Sequence, residues 1–533
     1  MSQVQLYDTT LRDGAQREGI SFSAVDKLNI ARKLDELGIH YIEGGWPGSN
    51  PKDIEFFEKA RGLTLSHAVL VAFGSTRRPG TVAETDPNLL ALVDAGVKAV
   101  TIVGKASTLQ VTQVLETTLE ENLSMIADST RFLRARGLTV FFDAEHFFDG
   151  YKADPDYARR CLKVAAEAGA SCLVLCDTNG GALPDEVTAA VKAAKKVTDV
   201  PLGIHAHNDS ESAVANTLAA VRAGATQVQG TINGYGERCG NANLCSIIPN
   251  LKLKMGINCV TGEQLARLTE VARFVSEAAN LAPDPFLPYV GSSAFSHKAG
   301  LHVSGVTKWA DAYQHIDPAK VGNRQRAVVS ELSGKGNIIY KARELGIDLP
   351  PKGKEVQRLL EQIKRLESRG FQYENAEASF ELLLHRARPG YQPPFELVDF
   401  MVLVETRRRA PARNRLEETL AEAMIKVRVG DEVMHTAAEG NGPVNALDQA
   451  LRKALLQVYP SLAAVKLVDY KVRILEESVG TESQVRVLIE SSDGVNDWRT
   501  VGSSTNIIEA SWLALADSVE YWLMKQKVTD KSS

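Results

Sequence analysis

The sequence predicts an α/β chain in three parts: a (β/α)8 TIM barrel over residues 1–285, linker subdomains over 286–405, and a C-terminal α+β domain over 416–533 built from two β–β–α units. Three observations predict it. Short apolar runs alternate eight times with amphipathic stretches in the first part, which suits a closed barrel better than an open doubly wound sheet. The alternation stops at Pro283-Asp284-Pro285. A polar turn followed by a helix then occurs twice near the C-terminus.

The eight expected strands are Gln5–Asp8, Tyr41–Gly44, Ala68–Phe73, Ala99–Val103, Thr139–Asp143, Cys172–Asp177, Leu202–His205 and Gln227–Thr231. Helical stretches lie between them, among them Ala24–Leu37, Leu119–Arg136, Tyr157–Glu167 and Glu211–Arg222. Several end in Gly after an apolar residue (Leu37-Gly38, Ala95-Gly96, Ala168-Gly169, Ala223-Gly224), the usual helix stop before a strand. The linker segment holds helical stretches over Val356–Ser368 and Glu374–His385, then the Pro-rich Arg388–Pro394. The basic, Pro-containing run Arg407–Arg415 marks the second boundary. Beyond it Val427, Val429, Val472, Ile474, Val485, Val487 and Ile489 alternate as strand residues do. Gly440–Asp448 resembles Gly502–Glu509, and each leads into a helix, Ala450–Val458 and Ser511–Leu523. Two such units form either a small-ligand site or a duplicated structural module.

With 533 residues the chain is too long for one core. A net charge of -5, with no basic patch outside Arg407–Arg415, excludes a nucleic-acid binder. No run approaches the ~20 apolar residues of a membrane helix. The N-terminus enters a strand at once, which leaves no room for a leader. Six scattered cysteines do not make a disulfide framework, and Cys172-x3-Cys176 lies in an apolar run that reads as core packing. These features predict a soluble, cytoplasmic protein.

The chemistry gathers at strand ends. The first strand runs into Asp8-Thr9-Thr10-Leu11-Arg12-Asp13-Gly14-Ala15-Gln16, where acid, hydroxyl and arginine suddenly replace apolar residues. Arg12 and Asp13 would face opposite ways on a strand, so a bend is needed to aim both inward. The seventh strand ends in His205-Ala206-His207-Asn208-Asp209, an i, i+2 pair that projects from one face toward one metal. Asn241 closes the glycine-rich loop Asn233–Asn243 after strand eight. One carboxylate, two imidazoles and an amide oxygen suit Mg or Mn, with Zn or Co as other options. A 2-oxo acid can chelate at such a site, with Arg12 beside the keto oxygen where charge develops. Thr178, after strand six, is placed to hold the substrate carboxylate. Glu145, after strand five, is the candidate general acid/base, unless it is spent in a strand-end salt bridge.

These motifs, with Gly236-Glu237-Arg238-Cys239-Gly240-Asn241, resemble the DRE-TIM metallolyases, and specifically their Claisen-condensing branch of isopropylmalate, homocitrate and citramalate synthases. The likeness extends over nearly the whole chain. It implies Asp13, His205, His207 and Asn241 as metal ligands, and Arg12, Gln16 and Thr178 as substrate contacts. It implies Glu145 and His302 as the pair that deprotonates the acetyl-CoA methyl, supported by Tyr313. Ser296–His302 looks like the segment that brings a histidine from the partner of a homodimer. The 440–523 repeat resembles the branch's allosteric domain. Glu43–Pro51 and Pro288–Phe295 look most like the citramalate synthases, which use pyruvate, and this implies a place in isoleucine synthesis with isoleucine as the effector. Two further readings are a His-x-His amidohydrolase, which would carry its pair on the first strand, and a non-catalytic amino-acid sensor, which would not need every catalytic position filled.

Overall fold

The computed structural model describes residues 4–297, 312–327, 335–347, 354–405, 420–475 and 483–529, together with His302, Gly305 and Trp309. Eight parallel strands close into a barrel in sequence order: β1 (Gln5–Asp8), β2 (Tyr41–Gly45), β3 (Val69–Ser75), β4 (Ala99–Lys105), β5 (Thr139–Glu145), β6 (Cys172–Asp177), β7 (Leu202–Ala206) and β8 (Gln227–Gly230). β8 pairs back on β1 with Leu6 opposite Val228 and Asp8 opposite Gly230. The first connecting helix has a local reason to start and to stop. In α1 (Ala24–Leu37), Ser23 and Asp26 form a reciprocal capping box, and Gly38 ends the helix at φ 87°.

Alternation along the strands sorts side chains into two layers. Leu6, Ile42, Val100, Ile102, Val140, Phe142, Leu173, Leu175, Ile204 and Val228 face the helices and form the main core. Tyr7, Val71, Ala99, Phe141, Cys172, Val174 and Cys176 form a separate cluster. The Cys172/Cys176 pair is therefore packing, as its apolar setting predicts, and all six cysteines are free thiols. No helix among the described residues is long and apolar enough to cross a membrane.

The chain divides into two compact units, one of residues 1–295 with 315–325, the other of 296–314 with 326–533. The second contains the helices Lys335–Glu344, Lys354–Glu367 and Glu377–Arg386 and two antiparallel sheets. Glu396–Glu405, Leu420–Val429 and Glu432–Gly440 form one sheet, followed by the helix Pro443–Leu455. Lys466–Ile474, Val485–Ser492 and Asp497–Ser504 form the other, followed by the helix Ile507–Thr529. The repeat is real, but each unit is β–β–β–α rather than β–β–α. The expected boundary between 405 and 416 falls between two paired strands of one sheet, because Glu396–Glu405 pairs with Leu420–Val429. Phe400 and Val402 of Glu396–Glu405 pack against the core, but Met401 and Leu403 on the other face are apolar and exposed, so the strand lacks the apolar–polar alternation that marks a half-buried strand. The first repeat helix also starts earlier than expected, at Pro443, whose missing N–H costs nothing at the first helical position. Arg386 joins the helix Glu377–Arg386 to Ile507–Thr529 through Asp517 (2.7 Å) and Glu520 (2.6 Å).

Candidate active site at the barrel mouth

The bend expected between strand and site lies just past β1. Asp8 is fully buried, and its carboxylate accepts from the Thr10 N–H and the Thr10 hydroxyl, both at 2.8 Å. This Asx-type turn reverses the chain, and the Arg12 and Gly14 N–H groups both donate to the Thr9 carbonyl. Burial pushes the Asp8 carboxyl up to about 7. Asp13 leaves the turn in helical geometry (φ -70°, ψ -42°), so Arg12 and Asp13 escape the opposite-face rule of a strand.

Arg12 is held from two sides. Its Nε donates to Glu43 Oε1 at 2.6 Å, and its guanidinium carbon lies 3.9 Å above the centre of the Phe73 ring. Nη1 is 3.4 Å from Asp13. Glu43, on β2, is completely buried and also accepts from the Tyr7 hydroxyl at 2.6 Å. Burial alone would lower the guanidinium, but Glu43 and Asp13 outweigh it and hold Arg12 above its ordinary value. Trp46 packs edge-on against Phe73, and its own indole N–H donates to Asn88 at 2.8 Å.

Asp13, His205 and His207 converge. His205 Nε2 lies 3.3 Å from Asp13 Oδ2 and 3.3 Å from His207 Nε2, and His207 Nε2 lies 4.0 Å from the same oxygen. Ligands around one ion at bonds of 2.0–2.2 Å sit roughly 3 Å apart, so this spacing fits a shared cation. Asn241 is drawn in by the backbone: His207 and Asn241 form an antiparallel bridge, and the Asn208 N–H donates to the Gly240 carbonyl at 2.8 Å. Asp13 Oδ1 and Asn241 Oδ1 are buried without a hydrogen-bond partner. Orphaned acceptors of this kind are costly unless something positive satisfies them, so the donor set fits a divalent metal. Burial works against charge at all three ionisable groups. At Asp13 the burial penalty is overcome by Arg12 and His205, which hold the carboxyl well below the usual range. At His205 Asp13 likewise overcomes burial and raises the imidazole. At His207 burial and the charge of His205 push it down to about 4.

The other expected residues are found in different states. Thr178 Oγ1 accepts from the His146 N–H at 2.8 Å, which leaves the hydroxyl proton free to donate. His146 itself turns sharply at φ 56°. Glu145 pairs with Lys105 from β4, the strand-end ion pair its position also predicted. Gln16 is exposed at the end of a short 3-10 turn and lines a cavity of about 240 Å3 with Arg12, Trp46, Asn50 and Lys52. His302 and Tyr313 belong to the second unit, where their rings stack with centroids 4.4 Å apart. Arg238 ties three loops together, through Asp209 (2.7 and 2.9 Å) and the Thr178 carbonyl (2.9 Å).

Sequence reasoning gave no role to Glu43, Asp143 or Gln229. All three are polar residues within strand segments, but only the barrel shows that they point inward. Asp143 is buried and pushed up to about 7 by that burial, with Glu43 adding to the effect.

A closed barrel that gathers two histidines, an aspartate and an arginine at its C-terminal rim defines a class of metal-site TIM-barrel enzymes. The HMGL-like family pattern matches residues 3–275, the homocitrate synthase post-HMGL domain matches 289–370, and the LeuA allosteric (dimerisation) domain matches 374–523. The chain belongs to the HMGL-like family and, within it, to the (R)-citramalate synthases. It is 54% identical over 532 residues to the (R)-citramalate synthase of Geobacter sulfurreducens, covering 100% of both chains. It is 52% identical to that of Aquifex aeolicus over 98% of both. Identity to the 2-isopropylmalate synthase of Methanocaldococcus jannaschii is 30%, over 98% of this chain and 96% of that one.

Proposed function

We propose that the protein condenses acetyl-CoA with pyruvate, hydrolyses the resulting thioester and releases (R)-citramalate and CoA. The observation that carries this reading is the Arg12 guanidinium, pinned by Glu43 and Phe73 beside the Asp13–His205–His207 cluster. Asp13, His205, His207 and Asn241 would hold a divalent ion, Mg or Mn first and Zn or Co as alternatives. When bound, the ion supplies Lewis-acid charge for the oxygens of the 2-oxo acid. Arg12 then donates to the keto oxygen as carbon–carbon bond formation drives charge onto it. The free Thr178 hydroxyl proton binds the pyruvate carboxylate, and Gln16 lines the approach. Glu145 and His302 take the methyl proton of acetyl-CoA, with Tyr313 in support. For Glu145 this requires exchange of its Lys105 partner for the substrate proton. As the family resemblance implies, His302 and Tyr313 act across a homodimer.

The match to a LeuA allosteric domain supports regulation at the C-terminal repeat, and isoleucine is the effector proposed. Inhibition requires isoleucine to bind a less active state more tightly. A pathway step of this kind runs in the cytoplasm, in keeping with six free thiols.

A panel of 2-oxo acids with acetyl-CoA, read by free thiol with and without EDTA, isoleucine and leucine, tests the whole reading. Pyruvate should give the fastest CoA release, EDTA should abolish it, and isoleucine should slow it. Faster release from 2-oxoisovalerate would assign the chain to leucine synthesis instead.

A further inference from the structure

Beneath the His205 ring lies a polar chain that the proposed reaction does not itself use. His205 Nδ1 is 2.9 Å from Gln229 Oε1, and Gln229 Nε2 is 3.1 Å from Asp143 Oδ1. All three side chains are buried, Gln229 completely. They come from β7, β8 and β5. We propose that Asp143 and Gln229 are positioning residues that fix the tautomer of His205 and thereby set the affinity of the Asp13–His205–His207–Asn241 site for a divalent cation. The proposal rests on the metal-site reading given above and deepens it.

A glutamine amide is ambivalent, since one end accepts and the other donates. Facing His205 with its oxygen, it requires the imidazole proton on Nδ1. That leaves the Nε2 lone pair free, on the atom 3.3 Å from Asp13. Turned over, the amide would present N–H to Nδ1 and drive the proton to Nε2, where it would block ligation. Asp143 removes the ambiguity. Its oxygen accepts from Gln229, so the amide nitrogen must face Asp143 and the oxygen must face His205. An ionised carboxylate can only accept, so in that form Asp143 holds the amide this way round, whereas a protonated carboxyl could also donate to the amide oxygen. Hydrogen bonds behind a ligating histidine typically contribute 10–100-fold in metal affinity.

The test is Mn2+ binding, measured by calorimetry on the full chain, with folding checked by circular dichroism. Gln229→Leu and Asp143→Leu should each bind Mn2+ roughly 10–100-fold more weakly than wild type. The double variant D143N/Q229E should recover affinity, because the amide introduced on β5 then donates to the carboxylate introduced on β8, and that carboxylate still accepts from His205. A role in packing alone would not predict that rescue. Wild-type affinity in Gln229→Leu, or a double variant no better than Gln229→Leu, overturns the relay while leaving the metal site intact. Equal binding by wild type and Asp13→Ala overturns the metal reading and the relay with it.

Discussion

Replacing Arg12 with lysine keeps a positive charge at the barrel mouth and removes the geometry that aims it. The guanidinium has five N–H donors in a fixed plane. Nε is taken by Glu43 at 2.6 Å, Nη1 leans on Asp13 at 3.4 Å, and the plane is fixed over Phe73 at 3.9 Å. The remaining N–H groups stay free for the substrate oxygen. A lysine ammonium has one nitrogen and must choose. Glu43 is completely buried, and leaving a buried carboxylate unpaired costs about 3–5 kcal/mol, so the ammonium stays with Glu43. The substrate oxygen then loses its donor. Loss of one such donor costs about 2.7–4 kcal/mol in the transition state, a fall in kcat of roughly 10²–10³. None of the four proposed metal ligands is replaced and the local charge is unchanged, so Mn2+ affinity should fall no more than roughly tenfold, the low end of what loss of an outer contact such as Nη1 to Asp13 costs. Thiol release with saturating pyruvate and acetyl-CoA reads kcat, and calorimetry reads the metal. A variant that keeps its kcat, or one that loses Mn2+, refutes the separation of roles between Arg12 and Asp13.

A Cβ added at Gly236 would sit 2.3 Å from Asn241 Oδ1, at a φ of +156° that side chains rarely adopt, so Gly236→Ala should weaken Mn2+ binding roughly 10–100-fold in a calorimetric titration. Mn2+ at about 100 times its dissociation constant should stabilise the barrel by about 2.7 kcal/mol, raising Tm by several degrees, and EDTA should reverse the shift in a thermal scan. Glu145→Gln should cut CoA release by about 10²–10⁴ with metal affinity unchanged, measured on the same two assays. Arg386→Ala removes the cation shared by Asp517 and Glu520. Because the side chain is 39% exposed, the cost should be about 1–3 kcal/mol, seen as a lower unfolding temperature of the second unit alone.

The barrel strands were legible because each is bounded by a change of period and several of the connecting helices end in a glycine stop. The Asp13–His205–His207 cluster was legible because its members stand in short runs at strand ends, where chemistry-bearing residues replace apolar ones abruptly. The C-terminal sheets were harder to read. Their outer strands, such as Glu396–Glu405, carry apolar residues on both faces, so neither alternation nor a buried run announces them. Glu43 and Gln229 were hidden for another reason. A single polar residue within a strand carries no mark of which neighbour it meets, and theirs are residues 31 and 24 positions away.

That gap bears on the pair with which the site begins. Adjacent residues on a strand cannot serve one pocket, and Arg12 and Asp13 do so only because Asp8 spends its carboxylate on the Thr10 turn. The turn alone would leave two opposite charges 3.4 Å apart, free to neutralise each other as an ordinary ion pair. The pair persists at that distance, but Glu43 takes the Nε edge of Arg12 at the shorter distance of 2.6 Å. The two histidines draw Asp13 Oδ2 the other way, with His205 at 3.3 Å. Each member of the pair is held by a partner distant in sequence, as the separate roles proposed for the two require. The motif names the residues; the buried glutamate and the histidines decide what each one does.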